Sequence, residues 1–241
     1  MYYYIFGSPK NYSENKLQEK IKLQLTTLGI SGETTLVSPA RSASELALMG
    51  VEKGYSTIVA VGGDELVNEV ASNIQGRDVV LGVIPINTSD DIYNLVGTAD
   101  YKQACEGLKK RRLKTINMAC LEPNVNFLTK IVIQNNKKLS IKAEIDDFYF
   151  TAQAEKIIID HNLNVELINS NESKSFFSVF SKLWSNNENI NNNSYFNATR
   201  LKLRTHEILP VKIGDLTVSK TPITAYKKPD ALKIIKNYSN M

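Results

Sequence analysis

The chain has 241 residues, 42% of them hydrophobic, with 29 basic and 25 acidic side chains and a formal net charge of +4. That length suits one large or two modest domains with a sizeable core. The apolar runs fall short of the ~20 residues that span a bilayer, and the mild positive charge permits an anionic partner without demanding one.

Tyr2 to Phe6 reads as a first strand, followed by a Gly7-Ser8-Pro9 turn. No basic region precedes an apolar stretch there, so no signal peptide is expected. Ser13 is placed to cap a helix whose Leu17, Ile21, Leu25 and Leu28 share one face. Glu33 to Val37 reads as a second strand. Ser42 and Glu45 have capping-box spacing for a second helix, which Gly54 would close.

The central stretch is Thr57 to Gly97. Ile58 to Val61 is a continuous apolar run, as in a strand buried on both faces. Gly62 and Gly63 end it, and Leu66, Val67, Val70, Ala71 and Ile74 then repeat at helical spacing. Asp64 therefore falls near a helix N-terminus. Adjacent glycines leave backbone N–H groups uncovered, and such groups at a helix start attract anions. A tight turn of no functional use explains Gly-Gly-Asp equally well. The unit then repeats: a strand from Val79 to Ile84, a turn from Asn87 to Asp91, and a short helix from Ile92 to Val96 stopped by Gly97.

Tyr101, Ala104, Cys105 and Leu108 mark one more helix, ending in the basic run Lys109 to Arg112. A solvated helix end that favours cations and a membrane-surface patch both account for that run. Cys105 and Cys120 are isolated thiols and read as buried structural cysteines of a reducing cytoplasm. His161 and His206 have no ligand or triad spacing.

Eleven of the twelve glycines precede residue 112, and only Gly214 follows it. The alternation of strands and helices also stops there. This predicts an α/β domain with a parallel sheet over residues 1–112 and a β-rich, sandwich-like domain over 113–241. The runs Phe127 to Gln134, Leu139 to Ile145, Lys156 to Ile159 and Leu201 to Arg204 read as its strands. Asn186 to Asn193 reads as a solvated loop.

Gly62-Gly63-Asp64, Asn68-Glu69-Val70, and then Leu81, Gly82, Ile84, Pro85, Thr88 and Asp91 carry a resemblance. They are similar to the GGDGTLNEV and LGIIPxGTxND motifs of the diacylglycerol and sphingosine lipid kinase catalytic domain, aligned without a gap. The NAD kinases share GGDG but lack the second motif. In the second half, Asp160 to Val165 resembles the family's DGxLDV segment, and Val211 to Asp215 its DGE segment. The resemblance implies an α/β nucleotide-binding domain, a following β-sandwich whose C-terminal strand returns toward the first domain, and ATP and Mg²⁺ as cofactors. It implies nucleotide contacts at Gly62, Gly63, Asp64, Glu65, Asn87, Thr88, Asp90 and Asp91, and at Ser8 in the loop after the first strand. It implies a general base at Asp215 and a metal contact at Asp160.

The sequence departs from the family at Glu65, Asn87, Asp90 and Ile213. Asn87 replaces a glycine, and asparagine tolerates left-handed backbone. Glu65 replaces a glycine expected at positive φ, and Asp90 replaces an asparagine; each adds a negative charge. Like charges ~4 Å apart cost about 4 kcal/mol at an effective dielectric of 20. The leading expectation is an ATP-dependent kinase of a diacylglycerol-like lipid, cytoplasmic and peripheral to an anionic membrane. It has no transmembrane segment and no nucleic-acid partner, and a homodimer is an open alternative. The rivals are a non-catalytic binding or regulatory module of the same fold and a NAD-kinase-like enzyme.

Overall fold

The computed structural model of the chain describes residues 1–169 and 193–238. The expected asparagine-rich loop lies outside the described residues except for Asn193, whose Nδ2 donates to Glu166 Oε1 at 2.9 Å. The chain forms two compact units. One comprises Met1–Met118 with Pro229–Met241, the other Ala119–Lys228.

The first unit alternates strand and helix. In chain order it holds β1 (Tyr2–Phe6), α1 (Tyr12–Thr27), β2 (Glu33–Leu36), α2 (Ala43–Glu52), β3 (Thr57–Gly62), α3 (Asp64–Ile74), β4 (Val80–Pro85), α4 (Asp90–Val96) and α5 (Tyr101–Lys110). The strands lie in the order β2-β1-β3-β4, all parallel. Beyond β4, Lys233 and Ile234, from a long last strand spanning Ile223–Ile235, pair in parallel with Val80 and Leu81. Every residue of β3 and β4 is buried. That is the pattern of strands covered on both faces, and it explains their unbroken apolar runs. Tyr4, Phe6, Val59, Val61 and Ile84 pack with Ile21 and Leu25 of α1 and Leu108 of α5. Gly82 permits this closeness. A Cβ there would lie 2.6 Å from Leu108 Cδ2 and 3.0 Å from Val59 Cγ2.

The capping box of α2 forms as its spacing predicts, with Ser42 Oγ accepting from Glu45 N and Glu45 Oε2 from Ser42 N. Gly54 follows that helix at φ +78. The expected cap of α1 is displaced. Asn11, not Ser13, caps it, its Oδ1 accepting from Glu14 N at 2.9 Å, and Ser13 lies inside the first turn. Asparagine caps at least as well as serine, so the earlier residue takes the role.

The second unit is antiparallel. Its elements are β5 (Leu113–Leu121, which enters from the first unit), β6 (Val125–Phe127), β7 (Ile131–Ile145), β8 (Phe148–Ile159), β9 (Asn164–Ile168), β10 (Ser194–Asn197), β11 (Arg200–Thr205), β12 (Pro210–Ile213), β13 (Leu216–Lys220) and the first half of the last strand, β14. Their order is β10-β9-β8-β7-β11-β14, with the β12–β13 hairpin also paired to β7. One face is apolar: Ile141, Ala143 and Ile145 of β7, Leu201 and Leu203 of β11 and Ala225 of β14 are buried. The alternate positions point outward.

The run Phe127 to Gln134 is not one strand. Phe127 pairs with Ala119 of β5, whereas Ile131 pairs with Ile159 of β8. The chain changes partner between them, which an apolar run cannot reveal. Conversely, Ile131–Ile145 is a single strand with an irregularity between Gln134 and Leu139.

Candidate functional site

Parallel strands that begin together also end together. The turns after β1, β3 and β4 therefore gather at one edge of the first unit, outside the strands' carboxyl ends. Gly7 N donates to Val61 O and Ile86 N to Gly62 O, each at 3.0 Å, so the three turns leave the sheet side by side.

The two glycines of the central turn serve different ends. A Cβ on Gly62 would stand 2.7 Å from Leu66 Cδ2, so glycine there lets the Leu66 side chain pack against the turn. Gly63 is the N-cap of α3 at φ −85, and a Cβ there would meet Ile86 O only at 3.6 Å. Asp64 opens the helix. Its Oδ1 accepts from Ser89 N at 2.9 Å, tying the β3–α3 turn to the β4–α4 turn.

Glu65 is exposed in the first turn of α3. Its backbone does not have the positive φ that the family's glycine suggested; among the described residues, the non-glycine residues with positive φ are Asn87, Arg111, Asp146, Leu163 and Asp230. The helix begins at Asp64, so Glu65 already has helical backbone, and a glutamate suits its positive N-terminal end. Asn87, at φ 52, does adopt the left-handed backbone of the glycine it replaces. Thr88 is half-buried between them and Ser89, the N-cap of α4. Asp90 is exposed and Asp91 half-buried in the first turn of α4. Ser8 Oγ donates to Val37 O at 2.5 Å, which fixes the loop after β1 to the end of β2.

One residue of this edge escaped the sequence reading. Glu14 Oε2 accepts from Lys10 N at 2.7 Å, and its Oε1 accepts from Asn87 Nδ2 at 2.9 Å. A single carboxylate thus bridges the β1–α1 loop and the β4–α4 turn. The Asn11-x-x-Glu14 spacing was the available signal, since it is that of a capping box. Glu14 takes up two donors that could otherwise meet a bound anion. With Glu14, Asp64, Glu65, Asp90 and Asp91 on the elements of one edge, the residues as arranged do not fit a bare polyphosphate. Among the described residues, no three metal-ligating side chains are disposed to hold a metal ion.

The two remaining candidates lie in the second unit. Asp160 is the acceptor of a turn: its Oδ1 accepts from Asn162 N and Asn164 N, and its Oδ2 from Asn164 Nδ2. Asp215 is exposed at the tip of the β12–β13 hairpin, beside Gly214 at φ +56, and follows the buried Ile213.

Residues 7–121 match the family model of the diacylglycerol kinase catalytic domain. Three solved structures from Bacillus anthracis str. Sterne are similar over nearly the whole chain. Two are of provisionally named diacylglycerol kinases. One has a TM-score of 0.78 at 14% identity, covering 98% of this chain and 97% of that one. The other has a TM-score of 0.79 at 15% identity, with 98% and 96% covered. The third, described as a diacylglycerol kinase, has a TM-score of 0.75 at 16% identity and the same coverage, 98% and 96%. No curated protein matches the sequence. At such identities the structures speak for the fold.

Proposed function

We propose that the chain, whose residues 7–121 match the diacylglycerol kinase catalytic domain, is an ATP-dependent lipid kinase of low turnover. It would transfer the γ-phosphate of ATP to a diacylglycerol-like hydroxyl at an anionic membrane surface, from the cytoplasmic side. The observation that carries this reading is the Asp64–Ser89 bond. It holds the two family turns together at the strand ends, where α/β sheets bind ligands. No helix among the described residues is long and apolar enough to cross a membrane, in keeping with a peripheral encounter.

Phosphoryl transfer demands positioned phosphates, charge neutralisation and an oriented acceptor. When bound, a divalent cation would neutralise phosphate charge. This chain supplies carboxylates to such a cation and few cations to the phosphates, so nucleotide binding would depend steeply on the metal. The exposed carboxylate of Asp215 is our proposed base for the acceptor hydroxyl. Asp160, whose oxygens already serve three N–H donors, is a weaker candidate for a metal contact.

A second reading, a non-catalytic module of the same fold, is favoured by Glu14, which occupies donors at the edge where phosphates would bind. A calorimetric titration with ATP, with and without Mg²⁺, separates the two. The kinase reading expects Mg²⁺-dependent binding by the wild type. It also expects at least tenfold tighter binding, about 1.4 kcal/mol, when Glu65→Gly is combined with Asp90→Asn. No binding by the wild type, by that variant or by Glu14→Gln would leave the non-catalytic module.

A further inference from the structure

The outward face of the second unit has a charge pattern that the nucleotide turns do not explain. Residues directly opposite on adjacent antiparallel strands point to the same face. Across β14, β11, β7 and β8, the row Thr224, Lys202, Glu144, Tyr149 lies on the outward side. The next row is Arg204, Lys142, Thr151. In the first row the charges cancel. Lys202 Nζ donates to both Glu144 oxygens at 2.9 Å, and with the Tyr149 hydroxyl this holds the Glu144 carboxyl below its ordinary range.

In the second row they do not cancel. Lys142 and Arg204 are direct cross-strand neighbours of like charge, and neither has an ion-pair or hydrogen-bond partner among the described residues. Such an arrangement is destabilising unless an anion joins it. The two cations line a concavity of about 530 Å³ together with Tyr149, Phe150 and Thr151. Tyr149, opposite Glu144 in the outward row near the tip of the β7–β8 hairpin, is 77% exposed. An exposed tyrosine ring beside cations is the composition of a surface that meets a bilayer interface.

We infer that this face, centred on Lys142 and Arg204, docks the protein on an anionic bilayer, the two cations holding lipid phosphates while the Tyr149 ring enters the headgroup layer. Arginine suits phosphate because its donors form a planar fork, and lysine adds a point charge. The occupant is a membrane because the cations come with an exposed aromatic ring on the same face. A soluble phosphate would leave that ring in water.

This extends the membrane part of the proposed function and moves the contact from Lys109–Arg112 to the second unit. Arg111 is already engaged by a guanidinium bond to Thr57 Oγ1. The inference does not rest on nucleotide chemistry, so vesicle and nucleotide titrations can fail separately.

The test is co-sedimentation of the full chain with phosphatidylcholine vesicles, with and without phosphatidylglycerol. Binding is expected only to the anionic vesicles and should weaken with salt. Lys142→Gln with Arg204→Gln should lower the affinity about thirtyfold, since each basic residue near an anionic surface contributes about 1 kcal/mol and about 1.4 kcal/mol is tenfold. Thr151→Glu, which keeps both cations but fills the hollow with charge, should lower it as well, and Tyr149→Ser should too. Lys109→Gln with Lys110→Gln should leave binding within about twofold of wild type. Thermal melts of the variants report folding. Absence of wild-type binding, an unchanged Lys142/Arg204 variant, or an equal loss in the Lys109/Lys110 variant would overturn the inference. So would competition by inorganic phosphate at millimolar levels, or stronger binding to an oligonucleotide than to vesicles.

Discussion

The two units use polar residues in opposite ways. In the first, β3 and β4 are buried along their whole length, and chemistry is confined to the turns at their ends. In the second, every other residue of β7 and β11 faces outward, and charge is spread across a sheet face. A strand covered on both sides can offer a ligand only its tip, whereas a strand covered on one side can offer a surface. The difference teaches where to look: a small anion in the first unit, an extended partner in the second.

The comparison is most severely tested at matched strand positions. Gly82→Val in β4 should cost about 1–3 kcal/mol, the range for overpacking a full core, because its Cβ meets Leu108 and Val59. Thr151→Val on the outward side of β8 should stay within about 0.5 kcal/mol. Urea denaturation of both variants measures this, and equal losses would break the distinction.

A smaller effect is expected at Asp146. Its carboxylate accepts from Thr199 N and Oγ1 and from Arg200 N, clamping the β7–β8 turn to the turn before β11. Asp146→Ala should cost about 1 kcal/mol, as for one typical net hydrogen bond. The Thr199 hydroxyl, ahead of the backbone N–H groups, holds the Asp146 carboxyl below its usual range. A lowered folded value means that the stabilisation is present above the ordinary aspartate range. It is lost as pH falls through that lowered value. The gap between wild type and variant, followed by denaturation against pH, should therefore close in acid.

The smallest effect concerns Cys105 in α5, where burial pushes the thiol up to about 12. Alkylation of the native chain at neutral pH should spare Cys105 and proceed only on unfolding, as mass spectrometry of the modified peptides would report. Rapid native labelling there would mean that the first unit opens more readily than its packing implies.

Much of the first unit was legible because its signals are local. The Ser42–Glu45 box, the apolar run into Gly62 and the stop at Gly97 each depend on neighbours in the chain. The left-handed backbone at Asn87 was also legible, since few residues accept it. What stayed hidden depends on partners distant in sequence. Phe127 and Ile131 belong to different strands because their partners differ. Glu14 joins the candidate site through Asn87, 73 residues away. The Lys142–Arg204 pair exists only in the register of β7 with β11. Glu65 misled for the opposite reason: a motif suggested a backbone conformation that the start of a helix did not require.

The last strand carries a consequence for how the chain is made. Lys233 and Ile234 complete the sheet of the first unit beside β4, and Lys233 reaches Asp78 across 155 residues of sequence. A ribosome delivering the chain from its N-terminus would release β4 with one edge unpaired until Lys233 and Ile234 have been made. Such an edge is a template for wrong partners, and closing so long a loop slows folding. The nascent first unit should therefore rely on chaperones, and loss of residues 230–241 should impair it more than its neighbour.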